Sequence, residues 1–355
     1  MKIILAISET PPMLSGVART AGKLRDSWEA AGHTVDVVSI EDTGRHMVGE
    51  VRLTGLVPRW PSLRRRFADA DLVSLHGPVP TFSDAMLPLL WLRKRHGTRV
   101  VYTHHFDVDF PRLGPACAAY NWLTHRLARL ADQIVVTTPS YASLVGAPEK
   151  TTVIPWGADR PGTVALDQKG SRFTVLFVGQ LRPYKGVDVL IQAARQVPEA
   201  RVLIVGRGPE RERLEAFAND IDAQNVHFLG PMTDSDIQQL YGESHVIALP
   251  SVSKLEAFGI TLIEGMAVGC VPVASALPGV SDVVAEAGLT FPVRDTEALA
   301  SILRVLADPD ERCRYALRAV ERSRAFTWEL TFDGYLQLFD SLLSVQRTQV
   351  AGVTL

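Results

Sequence analysis

The fold class predicted here is α/β, with two doubly wound parallel-sheet domains, and three observations predict it. Short apolar runs such as Lys2–Ile7, Phe173–Val178 and His245–Leu249 show little polar alternation, which is how strands covered on both faces read. Stretches with apolar residues at helical spacing separate these runs, and no tight-turn signal joins two neighbours as a hairpin. The chain has 355 residues, which suggests two cores rather than one.

Composition narrows the function classes. The chain is 46% hydrophobic and 21% charged, an ordinary balance for a globular protein. A formal net charge of −2 gives no nucleic-acid footprint. Cys117, Cys270 and Cys313 are too few and too scattered for a disulfide framework or a zinc site. The run Ile3–Ile7 is too short for a signal-peptide core or a membrane span, so a cytoplasmic enzyme is expected.

In the first half, strand Lys2–Ile7 enters a loop with Pro11, Pro12, Ser15 and Gly16. A helical pattern runs from Val17 to Ala31, closed by Gly32, and Thr34–Ile40 is the second strand. The opening is Rossmann-like without the G-x-G-x-x-G fingerprint. Val57–Phe67 mixes Arg59, Arg64, Arg65 and Arg66 with Trp60, Leu63 and Phe67. It reads as a solvated helix with one core-facing edge, or as a surface for anionic lipid or a phosphorylated acceptor. Strand Asp71–His76 and helix Phe82–Arg95 follow.

Strand Arg99–Thr103 runs into His104, His105, Phe106 and Asp107, at the carboxyl end where open α/β sheets bind ligands. The two histidines could pack, ligate a metal or recognise hydroxyls. A metal would need further partners at suitable spacing, and the sequence shows none, so no metal site is assigned. Helix Ala116–Leu130, strand Gln133–Thr137, a short helix from Pro139 and strand Thr151–Pro155 complete a first domain, 1–160. Between Asp159 and Ser171, Pro, Gly, Asp and Lys replace the apolar periodicity, as in a linker.

The second domain, 161–327, opens with strand Phe173–Val178 and a loop from Gly179 to Gly186. Arg182 and Lys185 in that loop suit an anion: Arg grips phosphate bidentately and Lys adds a point charge. Strand Arg201–Val205 leads to Gly206-Arg207-Gly208, and strand Asn225–Leu229 to Gly230-Pro231-Met232. The densest stretch is Leu249–Val273. Glu256 and Glu264 stand eight residues apart around Ala257-Phe258-Gly259-Ile260, with Gly259 opening a helix. Free N–H groups at that helix start favour an anion. Glu264, one turn in, suits a diol such as ribose, and Glu256 suits another hydroxylated group. Strand Val271–Ala274 follows, then helices Asp295–Ala307, Glu311–Ala325 and Trp328–Leu343.

Three stretches carry a family resemblance. The run from Pro250-Ser251 through Glu256-Ala257-Phe258-Gly259 to Glu264-Gly265-Met266-Ala267 resembles the Glu-x7-Glu signature of retaining GT-B glycosyltransferases of family four. Gly179-x-Leu181-x-x-x-Lys185-Gly186 resembles that family's diphosphate loop, and Thr103-x-His105-x-Asp107 its strand-end pattern. The resemblance implies two Rossmann-like domains facing a central cleft, with the terminal helix, 328–345, packing back on the first. It implies that Glu256 meets the donor sugar, Glu264 the ribose, and Arg182 and Lys185 the diphosphate. His105, rather than His104, would face the sugar. Gly16, Gly179, Gly206, Arg207, Pro231 and Met232 would lie near the nucleotide or its phosphates. Two departures stand out: Ser15-Gly16 replaces a glycine pair, and Trp156-Gly157 replaces Asn-Gly. Asp-x-Asp recurs five times, as at Asp107/Asp109, and so distinguishes no site.

The implied activity is retaining transfer from a nucleotide-diphosphate sugar, UDP ahead of GDP, to a hydroxyl acceptor, either a lipid-linked saccharide or a small molecule. No cofactor and no obligatory metal are expected, with peripheral contact to the inner membrane face through 57–67 left open. The alternatives are a non-catalytic nucleotide-sugar-binding protein and another enzyme on the same fold, a phosphorylase or an epimerase.

Overall fold

The structure, a computed structural model, describes residues 1–11, 16–48, 51–92, 97–110, 113–159 and 169–351. Two compact units divide the chain. One comprises Met1–Pro155 and Glu329–Leu355, the other Trp156–Trp328.

The first unit contains β1 (Lys2–Ala6), α1 (Gly16–Ala30), β2 (Thr34–Val38), α2 (Ile40–Thr43), β3 (Arg45–Val48), β4 (Val51–Thr54) and α3 (Leu56–Ala68). It continues through β5 (Leu72–Gly77), α4 (Ser83–Leu92), β6 (Arg99–His104), α5 (Gly114–Ala128), β7 (Gln133–Val136), α6 (Pro139–Val145) and β8 (Thr151–Val153). Its main sheet runs β2-β1-β5-β6-β7-β8, and every pairing in it is parallel. Order reverses between β1 and β5, the position where a crevice opens at the strands' carboxyl ends. Ile3, Leu5, Val101 and Val135 pack against Trp28 of α1 on one side of this sheet.

One expectation is corrected. β3 and β4 pair antiparallel, with Arg45 opposite Thr54 and Val48 opposite Val51. This is a hairpin where none was expected. Some boundaries also differ. Ile40, expected at the end of a strand, begins α2, because Ser39 caps that helix in a reciprocal box with Asp42. The linker over Asp159–Ser171, the loop through Pro12 and Ser15, and the end of the helix expected to reach Arg95 fall largely or wholly outside the described residues.

The second unit contains β9 (Thr174–Val178), α7 (Val187–Arg195), β10 (Arg201–Val205), α8 (Arg211–Asp220), β11 (Val226–Gly230), α9 (Asp234–Glu243) and β12 (Val246–Leu249). Then come α10 (Ile260–Ala267), β13 (Val271–Ser275), α11 (Val280–Val284), β14 (Leu289–Phe291), α12 (Thr296–Ala307) and α13 (Pro309–Ser323). Its sheet is parallel throughout, in the order β11-β10-β9-β12-β13-β14. Two apolar layers sandwich it. Val175, Phe177, Val202 and Ile204 face α7 and α12, and Leu176, Leu203, Ile247 and Leu249 face α10 and α11.

The terminal helix α14 (Trp328–Ala351) delivers Tyr335 and Phe339 to the core of the first unit. Their rings meet Trp28 edge-on, with centroids 5.7 and 5.1 Å apart. Burying three large aromatic rings in one cluster is a strong reason for this helix to dock. Among the described residues, no helix is long and apolar enough to cross a membrane.

Candidate functional site

In the second unit the strand order reverses between β9 and β12, which are hydrogen-bonded neighbours. The loops leaving their carboxyl ends carry Lys185 and Glu256. Gly186 has φ 60°, and a Cβ there would stand 2.2 Å from the Pro250 carbonyl oxygen. A side chain would therefore drive the two loops apart. The Val252 N–H donates to the Tyr184 carbonyl at 2.8 Å and fastens them again.

The consequence is an ion pair between the Lys185 ammonium and Oε2 of Glu256. The Ser251 hydroxyl donates to the same oxygen at 3.1 Å. The two charged side chains are only 13% and 11% exposed, so solvent screens the pair weakly. Burial by itself would lower the Lys185 pKa. The Glu256 charge and hydrogen bond outweigh it and raise the value above the ordinary one. Lys185 is therefore a fixed cation at the sheet's carboxyl edge.

Gly259, at φ 79°, precedes the first residue of α10, and no side chain caps that end. Glu264 on α10 accepts from the Tyr241 hydroxyl at 2.9 Å, and Tyr241 is itself buried on α9. Phe258 stands directly before Gly259 and the start of α10. It is 4% exposed, with its ring against Trp156 and Phe326, which leaves only its backbone for binding. Ala257 and Ile260 are half-buried beside it. Arg182 is exposed and donates from Nε to Gln180 at 2.8 Å. Gly179 follows β9 and donates to the Val205 carbonyl, while Gly206 follows β10 and donates to the Gly230 carbonyl. Arg207 and Pro231 are exposed and Met232 half-buried, all three beyond strand ends of this same edge.

In the first unit, Gly16 is the exposed first residue of α1. His105, just past β6, lies 3.0 Å from His76 Nδ1 of β5 through its Nε2, with the rings stacked at 5.1 Å. His76 Nε2 lies 3.2 Å from the Ser74 hydroxyl. Desolvation of these buried rings pushes the His76 pKa down to about 3 and holds His105 well below its usual range. Both are neutral imidazoles at physiological pH.

His104 turns to a different set of partners. Its Nε2 lies 3.1 Å from Asp107 Oδ1, and His125 Nε2 of α5 lies 2.8 Å from the same oxygen. The sequence expectation that a histidine here lacks further partners is thus corrected. Three ligand-type atoms lie within 4.8 Å of one another, at separations that N–H donation to one carboxylate accounts for. Burial alone would raise the Asp107 pKa, but the two imidazoles more than offset that and hold it low. Asp107 ties the loop after β6 to α5.

Sequence reasoning did not assign His76, His125, Ser251 or Tyr241. Ser251 sits inside the Pro250–Val273 signature, so attention to hydroxyls near Glu256 would have found it. The other three are brought in by parallel pairing or helix packing, which leave no local mark.

Comparisons with known proteins agree on one family. The description "Glycosyl transferases group 1" matches residues 164–322, and "Glycosyl transferase 4-like domain" matches 15–157. D-rhamnosyltransferase WbpZ of Pseudomonas aeruginosa is 32% identical over 328 residues, covering 84% of each chain. O-antigen chain mannosyltransferase C of Escherichia coli is 31% identical over 78% of this chain and 76% of its own. Among solved structures, Anabaena Alr3699/HepE in complex with UDP-glucose superposes with a TM-score of 0.72 at 20% identity, over 97% of this chain and all of that one.

Proposed function

The chain belongs to the group 1 glycosyl transferases, with GT-B architecture, and on that premise we propose that it is a retaining hexosyltransferase using a nucleotide-diphosphate sugar. The observation that carries the proposal is the pairing of Lys185 with Glu256 at the switch point of the second unit. That arrangement puts a buried cation and a hydroxyl-accepting carboxylate in contact, the complements of the diphosphate and the hydroxyls that a nucleotide sugar presents.

When the glycosidic bond breaks, negative charge develops on the leaving diphosphate. Lys185 and Arg182 can stabilise it by fixed positive charge, without a divalent ion. Glu264 accepts from the ribose hydroxyls, its carboxylate oriented by Tyr241. Glu256 accepts from a hydroxyl of the sugar. The backbone at Gly179, Gly206, Arg207, Pro231, Met232 and Gly259 accommodates nucleotide and phosphates.

UDP stands ahead of GDP as the nucleotide, in line with the UDP-glucose held by HepE. The acceptor is a hydroxyl on a glycan or lipid-linked saccharide, in line with relatives named for O-antigen mannose and D-rhamnose transfer.

The test is transfer from a panel of UDP- and GDP-sugars, with the product's anomeric configuration read by NMR. Lys185→Ala and Arg182→Ala should each lower kcat by about two to three orders of magnitude, as loss of one preorganised donor does. Near-wild-type turnover in Lys185→Ala, or an inverted anomeric centre, overturns the mechanism.

A further inference from the structure

The contact between Lys185 and Glu256 poses a problem for any diphosphate that arrives there. A cation already neutralised by a carboxylate has little charge left to offer, and the carboxylate repels the phosphates. If Lys185 turns to the phosphate, the Ser251 hydroxyl is what Glu256 keeps among the described residues. A carboxylate in a residue 9% exposed, stripped of its counter-ion, is costly.

A bare nucleoside diphosphate brings nothing to offset that cost. A nucleotide sugar does, because its hydroxyls can donate to the oxygen the ammonium has left. We infer that the sugar and Lys185 exchange at Glu256, so that this site discriminates the loaded donor from the bare nucleoside diphosphate. The inference rests on the diphosphate role of Lys185 proposed above and adds a consequence to it.

The same exchange acts in reverse after transfer. Once the sugar has moved to the acceptor, Glu256 loses its hydroxyl partners and draws Lys185 back. The diphosphate then loses its cation, and product release is favoured. Ser251 is a positioning residue in this cycle, since it holds Oε2 of Glu256 whether the lysine is present or not. The close approach at Gly186 and Pro250 keeps both loops near enough for the exchange to need side-chain rotation alone.

Calorimetric titration of bare UDP and GDP into wild type, Glu256→Gln and Lys185→Ala tests this. Glu256→Gln retains a hydrogen-bonding side chain but releases the lysine. It should bind the preferred nucleoside diphosphate about tenfold or more tightly than wild type, because a buried ion pair no longer has to be broken. Its gain for a non-transferable nucleotide-sugar analogue should be smaller, which narrows the preference for the loaded donor. If Glu256→Gln does not fold, Glu256→Ala carries the same expectation for the bare nucleotide.

Equal or weaker binding of the bare nucleotide in the glutamate variant, with Lys185→Ala losing affinity for the nucleotide-sugar analogue, overturns the exchange alone. Unchanged affinity of Lys185→Ala for the nucleotide-sugar analogue, or no binding of that analogue by wild type, overturns the diphosphate reading and the exchange together.

Discussion

At the scale of single residues, burial sets the protonation of His76 and His105. The His76 imidazole, fully enclosed and stacked on His105, is pushed from its ordinary 6.5 down to about 3. Between those values the unfolded chain binds a proton that the folded chain refuses. Stability therefore falls as pH falls from 6.5 toward 3, by ~1.4 kcal/mol per pH unit for one such group. His76→Gln removes the titrating ring. Urea-unfolding stabilities of wild type and variant, measured from pH 7 to pH 5, should converge toward acid. A constant gap across that range would show that His76 does not carry the acid sensitivity.

Elements divide the basic segment 57–67 more finely than its composition did. Within α3, Leu63 and Phe67 are buried, and Arg66 bridges Asp36 and Asp42 at 2.6 and 3.0 Å. Arg59 donates to the Asp42 carbonyl. Arg64 and Arg65 are exposed on the same helix. If α3 meets an anionic membrane, those two residues supply the attraction, at about 1 kcal/mol per basic residue near the surface. Co-sedimentation with anionic vesicles at low salt should therefore weaken in Arg64→Ala/Arg65→Ala. Unchanged sedimentation of the double variant, or none by wild type, would remove α3 as a membrane contact.

For the whole molecule, two compact units share one chain, and the candidate donor residues of the second lie along a single sheet edge. A nucleoside diphosphate at 100 times its Kd should stabilise the bound form by ~2.7 kcal/mol. Hydrogen exchange should then slow in the second unit, at 179–186, 206–208, 230–232 and 251–264. Protection confined to the first unit would mean that the nucleotide binds elsewhere.

The amino-acid sequence by itself determined the alternation of strands and helices, the two parallel sheets and the residue types gathered at the second unit's strand ends. These follow from local periodicity and from glycines whose backbone a side chain would obstruct. Lys185 and Glu256 were legible as chemistry because each sits in its own short loop pattern. Their contact was not legible: it exists because β9 and β12 pair at a separation of 71 positions in the chain, and strand pairing leaves no signature at that range. His76 beside His105, Tyr241 beside Glu264 and His125 beside Asp107 were hidden for the same reason. Phe258 shows the converse. Its place in the signature did not say where its ring goes, and the tertiary structure buries that ring between Trp156 and Phe326, since burying an aromatic face outweighs leaving it at a wet strand end.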